Sequence, residues 1–345
     1  MKIENYTIGS DYPPFIIAEM SGNHNQSLSR ALKIVDAVAD SGAQAIKLQT
    51  YKPETITIKS SNTEFTIDDP NSLWNKKNLF SLFESACTPY EWHKPIIDRA
   101  KEKGLICFSS PFDENAVDFL EELNVPAYKI ASFENNHYPL IEKVASTGKP
   151  IIISTGMATL EELKEIFKIL ENSKSKDLIF LKCTSTYPAS ANNTNIITIP
   201  ELKKIFKCEI GISDHTLGIG TSVAAVALGA TVIEKHFTLD RSDGGVDSAF
   251  SMEPDEFKML VSESHNAWLS LGKVFIGPTK NEKKSVKFRR SIYAIKDIEK
   301  GELFSEDNIA VIRPANGIHP RHFKGMIGKK SIKKIKYGTP ILDIY

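Results

Sequence analysis

Two short stretches carry the residues best suited to hold a metal ion: Ser213-x-His215 and Glu234-x-His236. Residues two apart on a β-strand share a face, so each pair can present both side chains on the same side. Two imidazoles from neighbouring strands with a carboxylate close by suit Mn²⁺, Co²⁺, Fe²⁺, Zn²⁺ or Mg²⁺, with positions open for water or substrate. The alternative is two buried histidines bonded to backbone, and spacing alone leaves both readings open. His93, His137, His265, His319 and His322 fall on helical or loop stretches without a partner pattern and read as surface or core residues.

A second set points to an anion. Lys47 and Lys129 close apolar runs, where a buried ammonium is costly without a negative partner. Ser110, Ser132, Ser154 and Ser213 close other runs and add hydroxyl donors without bulk, as a phosphate or carboxylate pocket requires. There is no G-x-x-x-x-G-K-[ST] loop. Together these residues imply a small, doubly anionic substrate, whereas a single lysine would more simply snorkel to solvent. Glu19, Gln49, Glu134 and Ser185 stand at run ends as well.

What must position these groups is legible in the alternation of the first 270 or so residues. Eight β-rich runs, FIIAE (15–19), AQAIKLQ (43–49), LICFSS (105–110), AYKIAS (127–132), PIIIST (150–155), LIFLKC (178–183), EIGIS (209–213) and TVIEKH (231–236), are separated by amphipathic helical stretches. Thr159 and Glu162 make a capping-box pattern, and Pro254 opens a helix that Gly272 closes. Eight strand–helix units predict an α/β fold, a (β/α)₈ TIM barrel, whose strand C-termini meet at one face. A doubly wound sheet is the runner-up, but no G-x-G-x-x-G follows the first run. Most runs start apolar, and all end in or beside polar or ionisable residues, which places an active site at that shared face.

The polar segment from Tyr51 to Ser85 interrupts the alternation and is expected to be a long loop or lid over the barrel mouth. The expected domains are a barrel over residues 1–275, a basic linker over 276–290, and a small irregular β domain over 291–345.

Composition narrows the class. The chain has 345 residues, 41% of them hydrophobic and 25% charged, as in a folded globular protein. Its 43 Lys+Arg balance 43 Asp+Glu, so no global field favours nucleic acid or an anionic membrane. Four scattered cysteines without a C-x-x-C pair read as reduced thiols, and the first residues lack a signal-peptide pattern, so a cytoplasmic location is expected. The uncharged run between His215 and Glu234 is broken by Gly218, Gly220 and Gly229 and reads as a buried helix feeding a strand rather than a membrane span.

The motifs AEMSGNHN (18–25), IKLQT (46–50), CFSSPF (107–112), AYKIASFE (127–134), STGM (154–157), CTSTYP (183–188), GISDHT (211–216), ALGATVIEKHF (227–237) and SMEP (251–254) resemble those of the sialic acid synthase family. KDIEKGELFSEDN and VIRPANG are similar to that family's antifreeze-like (SAF, β-clip) C-terminal domain. WNKKNLFSLFESACTPYEWH (74–93) and FLKCTSTYP (180–188) resemble its pseudaminic acid synthase branch.

The resemblance implies a divalent metal (Mn²⁺, Co²⁺ or Mg²⁺) on His215 and His236. It implies phosphoenolpyruvate on Lys47, Lys129, Ser110, Ser132, Ser154, Ser185 and Ser213. An N-acetylated deoxy-hexose falls to Glu19, Gln49, Glu134, Tyr187, Asp247 and Arg313. Glu19, Glu134 and Lys129 are the implied catalytic groups, and Phe133 and Phe250 the expected apolar walls of the sugar pocket. A homodimer with exchanged C-terminal domains is also implied. The alternatives are an N-acetylneuraminate or legionaminate synthase of the same family, or, from another class, a carbohydrate-binding protein with an inert barrel.

Overall fold

The computed structural model describes residues 1–342 and divides the chain into two compact units, Met1–Gly272 and one that begins at Lys273. The first opens with a small hairpin, β1 (Lys2–Ile3) and β2 (Tyr6–Thr7). Eight parallel strands then close into a barrel: β3 (Phe15–Glu19), β4 (Ala45–Thr50), β5 (Ile106–Pro111), β6 (Tyr128–Ile130), β7 (Ile151–Ser154), β8 (Leu178–Cys183), β9 (Glu209–Ser213) and β10 (Val232–His236). Strand β10 pairs with β3 to complete the ring.

The two-residue period of each strand sorts its side chains between two cores. Ile16, Ala18, Ile46, Leu48, Ile153, Phe180 and Ile233 pack outward among the helices. Phe15, Ile17, Ala45, Ile106, Phe108, Ile152, Ile179, Leu181 and Val232 fill the lumen, plugged from below by Ile3 and Ile8. The same inward series continues upward into polar residues: Ile17 to Glu19, Ala45 to Lys47, Phe108 to Ser110, Ile152 to Ser154, Val232 to Glu234. One periodicity therefore builds both the packed layers and the polar floor above them. Gly211 on β9 is required by proximity, since a Cβ there would lie 2.4 Å from the Val232 carbonyl oxygen.

The sequence signals for helix ends hold: Thr159 and Glu162 cap Leu160–Glu171 reciprocally, and Pro254–Leu271 ends before Gly272. The segment after β4 is less of a loop than expected, because it contains the helices Pro53–Ile56 and Leu79–Ala86. The run after His215 contributes the helix Gly220–Ala227 and then enters β10. Among the described residues no helix is long and apolar enough to cross a membrane.

The second unit begins with exposed chain, Val274 and Ile276 lying open to solvent, and two 3₁₀ turns, Glu282–Lys284 and Val286–Phe288. Strands β11 (Ser291–Ala294) and β12 (Ile309–Ile312) pair antiparallel over a core of Ile292, Ile298, Phe304, Ile309, Met326, Ile335 and Ile341.

Candidate active site

At the C-terminal mouth of the barrel the polar ends of the strands meet in one buried ionic cluster. Lys47 Nζ lies 2.7 Å from Glu19 Oε2 and 3.2 Å from Glu234 Oε1, and Lys129 Nζ lies 3.5 Å from Glu234 Oε1. All four side chains are buried. Hydroxyls complete the floor: Lys47 donates to Ser110 Oγ at 3.2 Å, Lys129 to Ser154 Oγ at 2.7 Å, and Ser213 to Glu234 Oε1 at 3.3 Å. Gln49 Nε2 donates to Glu19 Oε1 and Ser21 Oγ, both at 3.1 Å.

Burial and charge pull these groups apart. Burial raises Glu19 to about 7 despite the opposing pull of Lys47, with Glu234 adding to the rise. Burial also raises Glu134 to about 7. Burial pushes Glu234 upward too, but Lys129 and Lys47 outweigh it and hold that carboxyl below its usual range. Burial weakens the Lys129 ammonium, whereas at Lys47 the attraction of Glu19 and Glu234 overcomes burial and raises it. The result is one firm carboxylate between two lysines, with two further carboxyls poised to hold or release a proton near neutrality.

Beside the floor is a polar recess. The Ser132 hydroxyl is buried with no hydrogen-bond partner among the described residues, and Gly156 faces it; a Cβ on Gly156 would meet Ser185 Oγ at 2.1 Å and Ser132 Oγ at 2.5 Å. Any side chain at position 156 would fill the space between these serines. Glu134 follows on the same 3₁₀ turn, Ser132–Glu134, and its Oε2 is buried and unpartnered.

The imidazoles of His215 and His236 stand with ring centroids 5.3 Å apart. His215 Nδ1 lies 3.0 Å from the Thr184 carbonyl oxygen, which fixes that ring. His236 Nδ1 is buried without a hydrogen-bond partner among the described residues, with Asp247 Oδ2 3.6 Å away. Burial keeps His236 well below the normal histidine range, and therefore neutral and able to donate a lone pair. Burial likewise raises the Asp247 carboxyl, which accepts a hydrogen bond from Ser21. Among the described residues no three His, Cys, Asp or Glu side chains form a ligand cage. Two imidazoles, one of them with an unpaired nitrogen, are nonetheless the donor types that would suit a divalent cation.

Behind the histidines, Asp214 and Lys235 alternate with them and point the other way. Lys235 Nζ lies 2.9 Å from Asp214 Oδ2, and Asp214 also accepts from Ser222 and Thr216. This buried pair ties together the chain ends that carry the two imidazoles.

A cavity of about 690 Å³ lies over the floor. Glu19, Lys47, Gln49, Lys129, Ser132, Glu134, Ser154, Tyr187, Ser213, His215, Glu234, His236 and Asp247 all line it. Ser110 is held beneath Lys47, and Ser185 sits behind Gly156, its Oγ 3.7 Å from Cys183 Sγ. Arg313 belongs to the second unit, just beyond β12.

Of the two expected aromatic walls, Phe133 borders the cavity, but Phe250 does not. Phe250 is buried against His236 and Tyr187, with ring centroids at 4.8 and 5.2 Å, because the 3₁₀ turn Ser248–Phe250 faces it into the protein. His93, read as a surface or core residue, is a core one: it is fully buried, Nε2 2.8 Å from Thr50 Oγ1 and Nδ1 3.2 Å from the Pro89 carbonyl oxygen. Sequence reading also passed over Trp74 and gave Glu234 only a supporting place. The apolar-to-polar switch that selected Glu19 and Lys47 applies equally to Glu234, whereas Trp74 is signalled only as the first residue of the motif 74–93, with no hint of a place in the cavity.

Ionisable side chains gathered at the strand C-termini of a parallel barrel stand where barrel enzymes build their active sites. Residues 34–275 match the NeuB family and residues 289–343 the SAF domain. The chain is 47% identical to a pseudaminic acid synthase of Campylobacter jejuni, over 99% of this chain and 98% of the relative. It is 43% identical to the pseudaminic acid synthase of Helicobacter pylori, over 95% and 96%. A crystal structure of an N-acetylneuraminic acid synthetase from Leptospira borgpetersenii superposes with a TM-score of 0.74 at 33% identity, covering 83% of this chain and 94% of that one. The protein belongs to the NeuB family.

Proposed function

We propose that the protein condenses phosphoenolpyruvate with 2,4-diacetamido-2,4,6-trideoxy-L-altrose to give pseudaminic acid and phosphate. The observation that carries this reading is the buried Lys47–Glu234–Lys129 cluster beneath a cavity that pairs an ionic floor with an apolar roof, on a chain 47% identical to a pseudaminic acid synthase over nearly its whole length. The floor suits the phosphate and carboxylate of phosphoenolpyruvate, and the roof suits a sugar with a methyl and two acetamido groups.

His215 and His236 would hold the divalent cation, Mn²⁺, Co²⁺ or Mg²⁺, which when bound supplies Lewis-acid polarisation of the acceptor's aldehyde. Lys47 and Lys129, with Ser132, Ser154 and Ser213, hold the enol phosphate so that its C3 faces that carbonyl. Carbon–carbon bond formation leaves positive charge at C2, and water adds there. The tetrahedral product then expels phosphate by C–O cleavage, and the same lysines and serines stabilise the departing anion. Glu19 and Glu134, both titrating near neutrality, move protons to the new alkoxide and from the attacking water. Gln49 keeps Glu19 oriented.

The test is phosphate release from phosphoenolpyruvate, run with the diacetamido-altrose, with its legionaminate-type isomer and with N-acetylmannosamine. Turnover confined to either of the latter two would replace the acceptor assignment. Activity lost to EDTA and restored by Mn²⁺ supports the metal; unchanged activity in chelator removes it. A carbohydrate-binding module would release no phosphate at all.

The working form is a cytoplasmic homodimer in which Arg313 serves the partner's barrel. Charge supports this assembly. Met1–Gly272 holds 26 Lys+Arg against 36 Asp+Glu, whereas the chain from Lys273 holds 17 against 7, so the two kinds of unit carry opposite charge, as an assembly of two copies can use.

A further inference from the structure

The cavity's roof comes from the segment that the sequence marked only as a lid. Ile56, Ile67, Trp74, Leu79 and Phe83, joined by Phe112 from beyond β5, give it an apolar lining, interrupted by Thr57 and Ser72. Trp74 is pinned from two sides. Its Nε1 donates to the Val246 carbonyl oxygen at 2.9 Å, on the loop that carries Asp247. Its ring lies 5.5 Å from that of Tyr187, which in turn lies 4.5 Å from His215. Its backbone amide is taken up by Ser72 Oγ at 3.1 Å. The indole is thus fixed between the loops after β8 and β10, and its one polar side-chain atom is already committed.

We propose that Trp74 is a specificity-determining residue, the centre of an apolar subsite that takes the methyl end of a 6-deoxy N-acetylated sugar. The inference rests on the acceptor reading above and extends it to a particular group. A hydroxyl brought against this roof would lose its water and find no donor or acceptor on the indole, whereas a methyl loses nothing. An ionic floor and an apolar roof together fix the acceptor's orientation: hydroxyls and aldehyde face the lysines and imidazoles, and the deoxy carbon faces Trp74. Discrimination through one hydroxyl in an apolar pocket amounts to roughly 10- to 100-fold.

The experiment compares the intact enzyme with Trp74→Phe and Trp74→Ala on two acceptors that differ only at C6, methyl against hydroxymethyl. The kcat/KM ratio of the pair, and the KM for phosphoenolpyruvate, are the readouts. The wild type should favour the 6-deoxy acceptor, Trp74→Phe should keep most of that preference, and Trp74→Ala should lower the ratio about tenfold or more with the phosphoenolpyruvate KM unchanged. An unaltered ratio in Trp74→Ala overturns the proposal, as does an equal loss on both acceptors. Binding of the two C1-reduced, unreactive sugars, followed by isothermal titration calorimetry, separates this from the functional reading. A protein that binds the 6-deoxy alditol through Trp74 yet releases no phosphate from the aldehyde sugar would retain the subsite and lose the proposed reaction. Equal affinity of wild type and Trp74→Ala for both alditols refutes the subsite whatever the enzyme turns over.

Discussion

Glu234 offers the sharpest test of the buried floor. In Glu234→Gln the shape is kept, but the carboxylate that faces Lys47 at 3.2 Å and Lys129 at 3.5 Å is gone. Two buried ammonium groups are then left with Glu19 alone, and burial already holds Glu19 partly protonated near neutrality. Removing one partner of a buried ion pair costs about 3–5 kcal/mol. At roughly 2–4 °C per kcal/mol for a domain of this size, the lower figure corresponds to a fall of about 6–12 °C in Tm. An anion should repair the defect, because the site now carries an excess of positive charge. Inorganic phosphate at about 100 times its Kd restores about 2.7 kcal/mol to a protein that binds it only when folded. Thermal unfolding at pH 6.5 with and without phosphate reads both quantities. A Tm within about 2 °C of wild type in the absence of phosphate would refute the reasoning, and so would a phosphate-induced rise no larger than the wild type's.

Glu134 has a folded pKa of about 7, raised by burial above its unfolded value, so the stability linked to its proton is full below about 4.5 and is lost as pH rises through 7. Glu134→Gln should therefore gain stability relative to wild type at pH 8 but not at pH 5, and should flatten the limb of the kcat/KM profile near pH 7; an unchanged profile removes Glu134 from proton transfer. His93→Ala, which deletes a fully buried ring bonded to Thr50 and Pro89, should cost about 2–4 kcal/mol in denaturant unfolding while sparing the kinetics of the folded fraction. Wild-type stability would show that the pocket refills. Arg313→Ala and His236→Ala should each be nearly inactive alone. Mixed and allowed to exchange subunits, they should recover about a quarter of wild-type activity, since half the dimers hold one intact site; no recovery despite exchange would place Arg313 in its own barrel or outside the chemistry.

The floor was legible because one strand period writes both layers. Ile17 then Glu19, Ala45 then Lys47 and Val232 then Glu234 announce in plain sequence where the lumen stops being a core and becomes a site. His215 and His236 were legible for the same reason. The place of Trp74 was not: it opens a motif that marks the branch, but it lies in a polar segment without periodicity, and its position depends on hydrogen bonding to Val246, 172 residues away. Phe250 misled through proximity, because closeness to Asp247 in the chain says nothing about which way a 3₁₀ turn faces. For His93 the sequence left surface and core open, because a helix rich in charged residues gives little sign of the buried face on which His93, Ile96 and Ala100 lie together.

The opposite charges of the two units also govern how the protein meets other charged matter. Its sequence pI of about 7.1 describes a cancellation rather than an uncharged molecule. Near that pH each chain is a large zwitterion, an acidic barrel joined to a basic tail. Such a molecule adsorbs to anion and cation exchangers alike through different ends, and at low ionic strength it attracts its own kind even when its net charge is zero. Modest salt therefore keeps it dispersed where a shift of pH alone would only exchange one sticky end for the other.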